Sequence, residues 1–145
     1  MTPHTIQVAG FYANLSPDLF RRHARQYLDC HCAYQPVAGY SPVPYFLLCR
    51  AMELALKARH LETKSQVEVK KLYGHDLAEL YGDLPPDVKT LTVEEHCLLQ
   101  EASAKYDVPN KGFEYVSMED VLTSQRSFPD LQKLEALATK IVEAL

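Results

Sequence analysis

Tryptophan is absent from this chain, glycine occurs only five times, and none of its four cysteines is spaced C-x-x-C from another. Each absence removes a class of function. So few glycines form no glycine-rich phosphate loop, the element that cradles phosphates in the common dinucleotide- and NTP-binding folds. Without C-x-x-C there is no zinc ribbon and no thioredoxin-like redox pair. Neither H-E-x-x-H nor G-x-S-x-G occurs, which excludes the zincin helix and the nucleophile elbow of the α/β hydrolases. No apolar run approaches the roughly 20 residues of a membrane span. The opening MTPHTIQVAGFYANL has neither the basic start nor the apolar centre of a signal peptide. A cytoplasmic protein that does not enter a membrane is expected. Strand–helix alternation, internal repeats and low-complexity tracts are also missing.

Cations are in deficit, with 15 Lys and Arg against 19 Asp and Glu and a net charge of -4. A broad phosphate-binding surface needs clustered cations, so a general nucleic-acid face is excluded while a local basic patch is not. Lys57, Arg59, His60, Lys64, Lys70 and Lys71 lie close together in sequence and form either such a patch or a solvated helix face. The 145 residues suit a single domain, 1–145, with a real core. Cys30 and Cys32 bracket His31, but on a helix positions i and i+2 point to nearly opposite sides and do not converge on one ion. The cysteines are therefore expected to be buried free thiols, with no metal and no cofactor.

What is present is helical periodicity. In the segment SPVPYFLLCRAMELALKARHLETK nearly everything between Tyr45 and Leu61 is apolar, and Arg50, Glu53, Lys57, His60 and Lys64 form one line of charge along it. Those five fall at i, i+3, i+7, i+10 and i+14, a single stripe on an α-helix. A helix with so wide an apolar surface is buried on most sides, and its polar stripe faces solvent, a groove or a partner. Around it, Ser16-Pro17 opens a first helix from 18 to about 34, and Ser41-Pro42 opens the central one, with Pro44 inside its first turn. The polar stretch 63–74 reads as a partial helix or a loop. Gly74 suits a chain reversal, and His75 or Asp76 caps a short helix ending at Gly82. Thr92-x-x-Glu95 is a capping box opening a helix from about 93 to 106, which Pro109, Asn110 and Gly112 end. The stretch KGFEYV reads as an ordered loop, Ser117 as the cap of a single turn, and Pro129 as the start of a C-terminal helix with Leu131, Leu134, Ala138, Ile141 and Leu145 on one face. The expected fold is all-α: an up-and-down bundle of four main helices plus one or two short ones.

AMELALKA followed by YGHDL resembles the paired signature of HEPN-domain proteins, carried here by Glu53, Leu54, Leu56 and Lys57 and then by Gly74, His75, Asp76 and Leu77. The tail, AKYDVPNKGFEYVS followed by PDLQKLEALATKIVEAL, is similar to the last third of small bacterial members, so the resemblance spans roughly residues 40–145. It implies a four- to five-helix bundle, commonly a homodimer, associated with nucleotides or RNA. It also implies work beside a nucleotidyltransferase-like or antitoxin partner. Many members are metal-independent ribonucleases with an Arg-x(4–6)-His motif near the start of a late helix. That motif is missing from the second half of this chain; the single match, Arg25 to His31, lies in the first helix and reads as two surface or rim residues.

The expected function is thus a HEPN-like nucleotide- or RNA-associated binding module without the standard nuclease site. Its candidate ligand-binding residues are Arg50, Glu53, Lys57, His75 and Asp76. Glu53 and Lys57 form an i,i+4 pair that either stabilises an exposed helix or lines a shielded groove. His75 and Asp76 serve either as a structural cap or as part of a polar pocket. Glu53, Lys57 and His75 are expected to meet within one chain. Two alternatives stand beside this: an atypical metal-independent ribonuclease using His75 as base with Lys57 and Arg50 on the phosphate, and a non-catalytic helical dimerisation or interaction protein. His4, His23 and His60 have no evident partner, and adjacent His96 and Cys97 diverge on a helix and form no dyad. The nine tyrosines are core aromatics, base-stacking surfaces or dimer contacts.

Overall fold

The computed structural model describes residues 16–37, 41–107 and 128–145. The described elements are α1 (Ser16–Ala33), α2 (Val43–His60), α3 (Gln66–Tyr73), α4 (Leu77–Gly82), α5 (Val93–Tyr106) and α6 (Leu131–Ala144), with a 3-10 turn at Pro86–Val88 before α5. No strand occurs among the described residues. The class is all-α.

The hub is α2. It packs against α1, α4, α5 and α6, and Leu48, Met52 and Leu56 on it have no exposed surface. Each such side chain contributes about 1.5–3 kcal/mol when taken out of water. Pairs of contacts fix the helix directions. Arg21 near the start of α1 reaches Glu62, just beyond α2, and the Leu145 carbonyl at the end of α6. His31 near the end of α1 meets Glu135 near the start of α6. Lys140, late in α6, reaches Glu95, early in α5, at 2.7 Å, while Tyr106 at the end of α5 stacks near Phe46 at the start of α2. The four long helices therefore alternate in direction, and α3 and α4 fill the connection between α2 and α5.

Local chemistry sets the helix starts. Ser65 and Glu68 form a capping box on α3, Thr92 and Glu95 form another on α5, and the Asp76 and Asp130 carboxylates accept backbone N–H groups at the starts of α4 and α6. The first of these makes 66–73 an eight-residue helix, the partial helix rather than the loop of the two readings of 63–74, and its signal, Ser65-x-x-Glu68, is plain in the sequence. The C-terminal helix begins at Leu131 behind an Asp130 cap, and Pro129 lies outside it.

Two expectations about side chains need correction. Cys30, Cys32 and Cys97 are exposed, and only Cys49 is buried; the first two lie on the outer face of α1, whose inner face is taken by Ala24, Leu28 and His31. His31 is not a rim residue but is only 8% exposed, held against α6, whereas Arg25 is exposed. The expectations for Pro109, Asn110, Gly112, KGFEYV and Ser117, and for His4, fall outside the described residues.

Candidate functional site: a buried carboxylate and the cations it holds

Midway along α2 an apolar face is interrupted by Glu53, which has no exposed surface. A carboxylate in that position survives only if charges and hydrogen bonds replace its lost water. They come from three places. One turn on either side along α2, Arg50 Nη1 donates to Oε1 at 3.1 Å and Lys57 Nζ at 2.6 Å. From the bend after α3, His75 Nδ1 stands 2.9 Å from the same oxygen. From the last residue of α5, the Tyr106 hydroxyl donates to Oε2.

The bend is built for this. Gly74 has φ 53 and ψ -113, the signature of the first central position of a type II′ turn. The Asp76 amide closes that turn onto the Tyr73 carbonyl at 2.9 Å. A side chain other than hydrogen is strained at such a φ, so glycine is required there. The turn aims His75 back at α2. Asp76 then caps α4, its Oδ1 accepting from the Glu79 amide at 3.0 Å and from the Ser103 hydroxyl at 3.1 Å.

Electrostatics follow from the contacts. Burial alone pushes the Glu53 carboxyl up; the Lys57 charge, hydrogen bonds from Lys57 and Tyr106, and the Arg50 charge together outweigh it and hold the group below the ordinary carboxylate range. Burial and the Glu53 charge raise the Tyr106 phenol far above its usual value, so it stays a donor. Burial works against the Arg50 cation, but the Glu53 charge prevails and keeps the guanidinium protonated. Burial and Glu53 likewise push the Cys49 thiol up, which makes it unreactive.

Arg50, Lys57, Lys70 and His75 line a groove of about 460 Å³ against α3, with Phe20, Leu61 and Val69 among its apolar residues. Three cations against one buried carboxylate leave that wall net positive in an otherwise acidic protein. His75 is 55% exposed and Lys57 11%. With Nδ1 bound to Glu53, His75 offers Nε2 to anything in the groove.

The sequence-derived candidates therefore divide. Arg50, Glu53, Lys57 and His75 come together at one point. Asp76 does not line the groove and is occupied in capping α4. His60, in the same stripe, has a partner after all: it is buried and donates through Nε2 to the Leu80 carbonyl at 2.7 Å. Lys64 sits 3.4 Å from its other ring nitrogen. The stripe thus splits, its first half facing the groove and its second half pinning α4. Sequence reasoning missed Tyr106, for no local pattern links it to a residue 53 positions away. Lys70 was visible only as one member of a charge run. No group of three or more His, Cys, Asp or Glu among the described residues is placed to hold a metal ion. No family model, no curated protein and no solved structure matches the chain.

Proposed function

We propose that the protein is a HEPN-like binding module for a phosphate-bearing ligand, a nucleotide or RNA, which it takes into the groove between α2 and α3. The observation that carries this is the convergence of Arg50, Lys57 and His75 on buried Glu53 at the wall of that groove. A guanidinium and an ammonium already ordered by a carboxylate lose little further freedom on meeting a phosphate. The apolar side chains of half-buried Phe20 and exposed Val67 at the groove's rim, over buried Leu61 and Val69, suit the sugar or base rather than a bare anion. The resemblance in sequence adds a homodimer and a nucleotidyltransferase-like or antitoxin partner to the proposal.

Titration of a short fluorescent single-stranded RNA, and separately of a mononucleotide, tests it. A site meeting about two phosphates loses roughly sevenfold in affinity between 50 and 200 mM salt, and Lys57→Gln or Arg50→Gln abolishes most of the remaining binding. Affinity that ignores salt, or that survives both substitutions, contradicts the proposal.

One observation favours a second reading, an atypical ribonuclease. His75 is oriented through Nδ1 by a carboxylate and presents Nε2, the arrangement of a general base. Glu53 is too well paired to serve as that base. Cleavage of RNA by the wild type in the presence of chelator, lost in His75→Ala, supports this reading; no cleavage by either protein ends it.

A further inference from the structure

Away from the Glu53 groove, α5 and α6 border a second one of about 620 Å³. Val93, Cys97 and Glu101 follow one another at i, i+4 and i+8 on α5, with Glu94 and Leu98 beside them; all five line it. From α6 come Lys133, Ala136 and Leu137, again one face of a helix. Val93, Cys97 and Ala136 are exposed, Leu98 is half-buried, and Leu137 belongs to the core and forms the floor. Val93 is 81% exposed, the highest among the exposed large hydrophobic residues of the described chain. The polar residues are mostly of one sign: Glu94, Glu95, Glu101 and Asp130 against Lys133. Glu95 is paired with Lys140 and with the α5 cap, and Asp130 caps α6. Among the described residues no hydrogen bond or ion pair engages Glu94 or Glu101.

We infer that this groove receives an amphipathic helix of another protein, apolar on one face and rich in lysine or arginine along its edges. An apolar trough between two helices is the receptor half of helix-in-groove recognition, read by anchors at i, i+3, i+4 and i+7. The unengaged carboxylates select the sign of the flanking charges and speed the encounter. Among the described helices of a second copy the match is poor: α3 has an exposed basic face but only eight residues, and α1, with exposed Arg22 and Arg25, turns Ala24 and Leu28 into its own core and leaves Leu19 as its one exposed large apolar residue.

The test uses a synthetic helical peptide of about four turns, with leucines at i, i+3, i+7 and i+10 and lysines on both flanks. Its scrambled isomer, equal in charge but without an apolar face, is the control. Alkylation of Cys97, which is exposed in the groove, is followed by mass spectrometry, with exposed Cys30 and Cys32 on α1 as internal references. The inference expects saturable binding that slows Cys97 alkylation and leaves Cys30 and Cys32 unchanged. Glu94→Lys with Glu101→Lys, both exposed and outside the core, weakens binding by roughly tenfold or more while the thermal transition stays in place. Equal binding of the scrambled peptide, or no saturation by millimolar peptide, overturns it. So does concentration-dependent self-association of the chain that the same double variant abolishes, because the occupant is then a second copy.

Discussion

Glu53 is an ion without water, and the consequences belong to single side chains. Removing it leaves the Arg50 and Lys57 charges without their buried counterion. Glu53→Ala is therefore expected to cost about 3–5 kcal/mol in denaturant unfolding, and a loss below 1 kcal/mol contradicts the burial of the pair. The same residue writes a pH signature. Its folded carboxyl is held below the ordinary value of 4.5, so the unfolded chain binds the proton first as pH falls. Its stabilising contribution is complete above about pH 4.5 and drains away below it. Glu68 and Glu95 titrate in the same direction, so the measurement is the difference between wild type and Glu53→Gln: it narrows as pH falls from 5 to 3. A difference independent of pH contradicts the account. His60 acts in a higher window. Burial holds its imidazole neutral against the ordinary value of 6.5, although the bond to the Leu80 carbonyl works the other way. The unfolded histidine protonates first, so stability is full above about pH 6.5 and falls below it, and His60→Gln flattens that slope between pH 7 and 5.

At the scale of elements, the site depends on the hinge between α3 and α4 more than on either helix. A Cβ on Gly74 meets nothing within 4 Å, so the cost of Gly74→Ala is conformational rather than steric: a φ of +53 that an alanine adopts only with strain. About 1–2 kcal/mol is expected, together with displacement of His75 from Glu53, seen as weaker ligand binding at unchanged helix content. Ser65→Ala removes the α3 cap at about 1 kcal/mol and speeds amide exchange in 66–73 without touching α5. Four helix boundaries followed from short-range chemistry and were legible in the sequence: the proline-marked start of α2, the Thr92–Glu95 box, the Asp76 cap and the glycine turn. The all-α class and the meeting of α2 with the bend followed from periodicity and from the charge stripe. What sequence could not supply is whatever depends on chain segments far apart. Tyr106 reaches Glu53 only because α5 runs antiparallel to α2, and His31 is buried only because α6 lies against α1. The exposed cysteines were misjudged because their type favours burial, while the place of Cys30 and Cys32 on α1 is set by the face that Ala24 and Leu28 occupy, and Cys97 lies on α5 away from the face that buries Leu99 and Ala102.

For the molecule as a whole, a net charge of -4 conceals a division of labour. The α2–α3 groove gathers cations around one buried anion, and the α5–α6 groove gathers carboxylates around exposed apolar side chains. A ligand bearing phosphates is drawn to the first and repelled by the second, and a basic helix behaves oppositely. The two proposals are therefore separable: Glu94→Lys with Glu101→Lys leaves nucleotide affinity at low salt unchanged or slightly higher, and Lys57→Gln leaves peptide binding unchanged, both measured by titration calorimetry. Nitrogen-15 NMR of the histidine and lysine side chains during titration with a mononucleotide tests the Glu53 site most directly. Saturable shifts of His75 Nε2 and Lys57 Nζ, with an affinity that falls as salt rises, are predicted. Nucleotide at millimolar concentration that leaves both resonances where they were would contradict the account.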